Sequence, residues 1–263
     1  MSAGEEGLLY GISPVGSALE EDPDRVHKLY VAEGRRDERV QELLDRARGA
    51  GVAVVFQPRE ALDRLTGGAS HQGVAAQVAA TAYEDPLELA AAVRARGEEP
   101  LLVALDHLQD PQNLGAVARS AEAMGAHGLI VPRYRSAAPG AGAEKASAGA
   151  LQRVSLCRAA NLARTLDLLK QEGLWIVGTA AEEGTEPWEL DLTGPLCLVV
   201  GGEQKGVRPL IRRACDMMAA IPLKGRTASL NASVAAGMML YEIVRQRRRA
   251  VDGDRGSGRI SLS

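Results

Sequence analysis

The sequence predicts an α/β fold: a mainly parallel sheet flanked by helices, preceded by a smaller α/β domain. Three observations point there. From Leu101 onward, short apolar runs alternate with stretches of helical length, a pattern that builds a parallel sheet covered on both faces. Residues 25–78 repeat the alternation on a smaller scale. At 263 residues the chain exceeds the usual size of one compact unit and can bury two cores.

In the first region a strand is expected over 28–32, a charged helix over 36–48, and a strand over 52–56 introduced by Gly51. A short helix follows Pro58 and runs to Leu65. Gly67, Gly68 and Ser70 then make a loop before the alternating strand at 74–78, which places the first domain at 1–80. Residues 81–98 contain Pro86, three successive alanines and RARGEEP, and read as a linker holding one short exposed helix. The second domain, 99–250, has strands at LLVAL, GLIVP, LWIVG and LCLVV. Helices are expected over 110–125 and 162–170, with a variable loop after GLIVP and a short strand and turn at Ile221. A last helix over 231–248 places Val234, Met238, Tyr241 and Val244 near helical spacing as its packed face. The polar, Gly-rich 251–263 is expected to be a flexible tail.

Composition excludes several classes. Hydrophobic residues at 46% and charged residues at 25% are an ordinary globular balance. No apolar run reaches the ~18 residues of a membrane span. The acidic start MSAGEEG is unlike a secretory signal, so a cytoplasmic protein with no membrane partner is expected. Cys157, Cys197 and Cys215 have no C-x-x-C spacing and read as buried thiols. His27, His71, His107 and His127 lack metal-ligand spacing, so no metal is expected. The net charge of -3 and pI near 5.9 oppose a broad basic footprint, and 3% aromatics leave little for base stacking. Any RNA contact must then come from local basic patches.

Three segments carry chemistry. In DPQNLGAVARSAEAMG, Asp110 suits a helix N-cap, Pro111 the first turn and Gly125 the stop. Gly115 inside this helix costs about 1 kcal/mol relative to alanine. It leaves either room for a ligand beneath Arg119, near Asn113, or a site of tight helix packing. The second segment, LCLVVGGEQKGV, is a buried strand entering a glycine-rich turn with Glu203. Its Gly201, Gly202 and Gly206 fit neither a dinucleotide fingerprint nor a Walker loop, which argues against a nucleotide-dependent oxidoreductase. Open parallel sheets bind ligands at such strand ends, although the turn alone can be merely a tight loop. The third, IPLKGRTASLNASVAA, leads into the last helix through Ser229, Asn231 and Ser233, of which bland capping explains one.

Taken together, N-x-G-A-x-x-R at Asn113 to Arg119, G-x-E-x-x-G at Gly201 to Gly206, and I-P-x-x-G…S-L-N-x-S from Ile221 to Ser233 resemble the three motifs of the SpoU (TrmH-like) RNA 2'-O-methyltransferases. The Tyr10-Gly11 opening, HQGVAAQV and KASAGA resemble the RlmB-like subgroup, which methylates a guanosine ribose in 23S rRNA. The resemblance implies a SPOUT catalytic domain whose C-terminal segment threads a trefoil knot, a rare exception to unknotted folding. It also implies a homodimer, and a first domain that binds RNA and resembles ribosomal proteins.

The resemblance further implies S-adenosyl-L-methionine as cofactor, held near Thr179, Gly201, Ile221 and Leu230, with Arg119, Asn113, Glu203 and Asn231 as the catalytic set. A guanidinium is effectively never deprotonated, so Arg119 is read as stabilising a developing 2'-alkoxide, with Glu203 orienting it. Arg35, Arg36, Arg39, Arg133, Arg135 and Lys145 are candidate RNA contacts. The expected substrate is 23S rRNA, near the peptidyl-transferase P-loop. A tRNA substrate, or a non-catalytic RNA-binding relative, is the alternative.

Overall fold

A computed structural model describes residues 7–35, 37–79, 83–133, 141–181, 183–202 and 206–256. In chain order the elements begin with β1 (Gly7–Tyr10), α1 (Ile12–Glu21), β2 (Val26–Ala32), α2 (Glu38–Gly49), β3 (Ala53–Gln57), α3 (Arg59–Leu65) and β4 (Val74–Val78). They continue with α4 (Pro86–Ala95), β5 (Leu101–Asp106), α5 (Pro111–Ala123), β6 (Gly128–Pro132), α6 (Ala141–Ser147), α7 (Ala150–Arg153) and β7 (Ser155–Ala159). The remainder is α8 (Leu162–Gln171), β8 (Trp175–Ala180), β9 (Leu196–Gly201), α9 (Pro209–Ala214), β10 (Met217–Ala220) and α10 (Ala232–Gly256).

Two units emerge. One comprises Met1–Ala82 with Pro111–Arg119 and Ala138–Arg153; the other comprises Tyr83–Asp110, Ser120–Ala137 and Val154–Ser263. The first holds a four-stranded sheet in the order β1-β4-β2-β3, in which only β2 and β3 pair in parallel. Helices α1 and α2 bury Val15, Leu19, Val40, Leu43 and Leu44 against Leu29, Val31 and Ala76. The first strand and α1 precede the stretch in which the sequence pattern was traced, although Val15, Ala18 and Leu19 carry a helical period.

The second unit holds six strands in the order β10-β8-β9-β5-β6-β7, every neighbouring pair parallel. The two inner strands β5 and β9 are buried along their whole length. This explains their apolar sequence, broken only by Asp106 at the end of β5, because a parallel strand buried on both faces reads as a near-continuous hydrophobic run. Strand β7 lies where the sequence suggested only a variable loop and a helix, and the last short strand is Met217–Ala220, ending just before Ile221.

Three expectations are corrected. The short helix expected to be exposed within 81–98 is not: α4, capped by Asp85, buries Leu89, Ala90 and Val93 in the same core as Leu102, Ile130 and Leu166. The terminal helix continues to Gly256, and the stretch 257–263 lies outside the described residues. Its Val234, Met238 and Tyr241 stripe faces outward at 50%, 48% and 61% exposure, whereas Ala236, Met239, Leu240 and Ile243 are buried. Both faces of α10 are apolar, so periodicity identified a face without telling which one the core covers. Cys157 and Cys197 are buried and Cys215 is partly so. Burial pushes the Cys157 and Cys215 thiols up to about 12.

Candidate active site

The strand order reverses between β5 and β9, where open parallel sheets place ligand crevices. There Asp106, the last residue of β5, lies in register with Gly201, the last of β9. The chain beyond Gly201 folds back on itself. Gly206 N–H donates to the Gly202 carbonyl at 2.9 Å. A Cβ on Gly201 would sit 2.1 Å from the Gly206 carbonyl carbon and 2.2 Å from Val207 N, so only glycine fits. Gly202 is equally constrained, since its Cβ would meet the His107 carbonyl oxygen at 2.6 Å.

The exit of this turn is tied to the sheet by Asp106, which is fully buried. Its carboxylate accepts hydrogen bonds from the Arg208 backbone N–H and from Arg208 Nε, each at 2.8 Å, and forms an ion pair with Nη2 at 2.6 Å. A buried carboxylate without such donors would be costly, so this clamp fixes the exit of the turn against the end of β5. Neither Asp106 nor Arg208 was singled out from the sequence. The signal was an acidic residue closing an otherwise wholly apolar strand.

Beside the turn lies a cavity of about 390 Å³, within the range of small-molecule sites. Thr179, Gly201, Ile221 and Leu230 all line it, joined by Val200, Leu223 and Ser229. Its lining combines glycines of the turn with apolar Met218, Ile221, Leu223 and Leu230 and the charged Glu183 and Arg212, a mixed surface of the kind that small-molecule sites use to flank an apolar ring and fix its polar edge. On the rim Arg212 Nη2 pairs with Glu183 at 3.1 Å.

Asn231 stands at the entry of α10. Its Oδ1 accepts Ser233 N–H at 2.8 Å, Ser233 Oγ–H at 2.6 Å and Val234 N–H at 3.4 Å. One capping unit therefore accounts for two of the three polar residues in the segment, and Ser229 lines the cavity.

Helix α5 tells a different story. Asn113 is buried and Arg119 is exposed. The space beneath Gly115 is filled by α6: a Cβ there would lie 2.3 Å from the Ala143 carbonyl oxygen and 2.6 Å from the Ala146 Cβ. Of the two readings of this glycine, tight packing is the one realised, and the room for a ligand at that point is absent. Glu203 lies outside the described residues.

Comparison with known proteins bears on this arrangement. Residues 100–241 match the model of the SpoU rRNA methylase family, and residues 8–84 match that of RNA 2'-O ribose methyltransferase substrate binding. The chain belongs to the SpoU rRNA methylase family. The 23S rRNA (guanosine-2'-O-)-methyltransferase RlmB of Photorhabdus laumondii is 44% identical, over 91% of this chain and 98% of its own. An uncharacterized tRNA/rRNA methyltransferase of Mycolicibacterium smegmatis is 47% identical over 94% of this chain and 78% of its own. Among solved structures, the SpoU methyltransferase AviRb from Streptomyces viridochromogenes in complex with AdoMet aligns with a TM-score of 0.78. It shares 30% identity and covers 92% of this chain and 91% of that one.

The substrate-binding segment of this SpoU protein contains several of the candidate RNA contacts. Arg35 is engaged within the first unit: Nε pairs with Asp37 at 2.6 Å, and Nη1 donates to the carbonyl of Gln72, in the segment before β4. The guanidinium holds the Asp37 carboxyl below the usual carboxylate range, and Asp37 caps α2 through Val40 N–H. Arg39 and Arg133 are exposed, and Lys145 Nζ donates to the Ser70 carbonyl at 3.2 Å. Arg36 and Arg135 lie outside the described residues.

Proposed function

We propose that this SpoU enzyme transfers a methyl group from S-adenosyl-L-methionine to the ribose 2'-OH of a guanosine in 23S rRNA, in the peptidyl-transferase P-loop region. The observation that carries the cofactor assignment is the convergence of Thr179, Gly201, Ile221 and Leu230 on one cavity. The substrate assignment is supported by the 44% identity to RlmB along nearly the whole chain and by the substrate-binding match at 8–84. Such an rRNA substrate places the enzyme in the cytoplasm.

The cofactor supplies an electrophilic methyl on a sulfonium. The chain's own residues make the 2'-oxygen able to accept it. Arg119 donates hydrogen bonds to the oxygen as negative charge develops, Glu203 orients the guanidinium fork, and the proton leaves to water or phosphate. Asn113 and the amide of Asn231 hold ribose or phosphate. Thr179, Gly201, Ile221 and Leu230 enclose the cofactor.

In this reading residues 1–80 bind RNA on a ribosomal-protein-like domain, 99–250 form the knotted SPOUT catalytic domain, and Arg35, Arg36, Arg39, Arg133, Arg135 and Lys145 contact RNA. The enzyme works as a homodimer. The outward stripe of Val234, Met238 and Tyr241, continued by Trp188 at 55% exposure, supplies an apolar face suited to a second copy.

Methyl transfer from tritiated S-adenosyl-L-methionine to unmodified 23S rRNA and to tRNA transcripts tests the proposal. Label on 23S rRNA is the expected result. Label confined to tRNA would replace the substrate, and cofactor binding with no label on either RNA would remove the catalytic reading.

A further inference from the structure

The loop between β10 and α10 carries two cations that the cofactor cavity does not use. Its residues Leu223, Ser229 and Leu230 line the cavity, and Pro222, Leu223, Thr227 and Ala228 line an adjoining recess of about 370 Å³. Between those wall residues stand Lys224, Gly225 and Arg226, all exposed. A Cβ on Gly225 would meet nothing within 4 Å, so this side of the loop looks onto open space. Among the described residues neither cation has a hydrogen-bond or ion-pair partner.

That distinguishes them from the other cations around the cavity. Arg212 is neutralised by Glu183 and Arg208 by Asp106. An unpaired cation can neutralise a phosphate and release the counterions condensed on the nucleic acid, whereas a paired one must first give up its carboxylate. The chain is acidic overall, at -3, so an incoming polyanion gains nothing from the mean field and must be caught locally. The recess also carries Glu186, which repels phosphate and leaves the Lys224–Arg226 side as the favourable path for a backbone.

We propose that Lys224 and Arg226 form a phosphate-binding rim that holds the RNA backbone beside the target ribose, at the mouth of the cofactor cavity. The proposal rests on the reading of this chain as an RNA methyltransferase and adds where the RNA backbone is gripped. The ligand is a phosphodiester of the substrate strand, recognised by charge and position without reading base sequence.

The test compares wild type with the double variant Lys224→Ala/Arg226→Ala, using the full chain and an unmodified 23S rRNA transcript. Filter binding across a salt series gives the slope of log K against log salt, which should flatten by about 1.4 for two lost contacts at ~0.7 each. The KM for RNA should rise about tenfold, on the order of 1.4 kcal/mol, while the dissociation constant for S-adenosyl-L-methionine and the melting temperature stay at wild-type values. The exchange variant Lys224→Arg/Arg226→Lys should keep the wild-type slope. An unchanged slope in the alanine variant overturns the proposal, as does a loss of cofactor affinity equal to the loss of RNA affinity. A wild type that binds the transcript without methylating it removes the catalytic reading instead, and the slope comparison still decides the rim.

Discussion

Helix α5 and the turn after β9 each carry a motif glycine against which protein backbone packs, yet they contribute different things. At Gly115 the approaching backbone belongs to α6, which closes the helix face and leaves Arg119 as the exposed chemical group. At Gly201 the approaching backbone is the turn's own return, and beside that fold-back lies a cavity walled by strand ends. One region offers a side chain; the other offers a shape. Substitutions in the two regions should therefore separate catalysis from cofactor affinity.

The largest effect is expected at the clamp that holds the turn. Removing Arg208 leaves Asp106 buried without its main partner, and breaking a buried pair costs roughly 3–5 kcal/mol. Arg208 is itself 36% exposed, so we place Arg208→Ala near the low end, at about 3 kcal/mol in urea denaturation. Cofactor affinity should fall with it, because the exit of the turn is released. A variant with wild-type stability would show that the guanidinium contacts with Asp106 do not hold the turn, the backbone N–H of residue 208 being kept in the variant.

Arg119→Ala should act in the opposite manner. Loss of a donor to a developing oxyanion typically costs about 10²–10³ in rate, so methyl transfer should fall by that factor while cofactor binding stays within about twofold. Calorimetric titration of the cofactor beside a single-turnover rate measurement separates the two. A parallel loss of cofactor affinity would erase the contrast between the regions.

The elements of this contrast were unequally legible in the sequence. The apolar runs of β5 and β9 announced buried parallel strands because a doubly covered strand tolerates nothing else. The four cavity residues were reached through the motif resemblance, and no side-chain chemistry at Gly201 or Leu230 could have indicated that they line a pocket. Gly115 left two readings open because a missing side chain does not say whether a ligand or a helix fills the gap. The outward stripe of α10 was misassigned because its buried face is partly alanine, a weaker hydrophobic signal than Val234, Met238 and Tyr241. Asp106 escaped notice because its partner Arg208 is 102 residues away, a distance that no local pattern bridges.

Alanine at each motif glycine sharpens the comparison. Both Gly115→Ala and Gly201→Ala place a Cβ inside backbone van der Waals distance, and overpacking of this kind costs about 1–3 kcal/mol. Thermal melts should show similar losses for the two. Only Gly201→Ala should weaken S-adenosyl-L-methionine binding, by tenfold or more, because only there does the displaced backbone border the cavity. Equal weakening by both variants would mean that the α5 face also shapes the cofactor site.

The smallest effect is expected at Asn231, where the cap is observed and a hold on ribose or phosphate is proposed. Its Oδ1 caps α10 through Ser233 and Val234, and losing a cap of this type costs about 1 kcal/mol. Asn231→Ala should show that loss in a melt. Asn231→Ser retains an acceptor able to cap, so stability should return to within a few tenths of a kcal/mol while the amide remains absent. If the amide holds ribose or phosphate, the serine variant stays slow in methyl transfer despite its recovered stability. If capping is the whole role, activity recovers in step with the melting temperature, and Asn231 leaves the catalytic set.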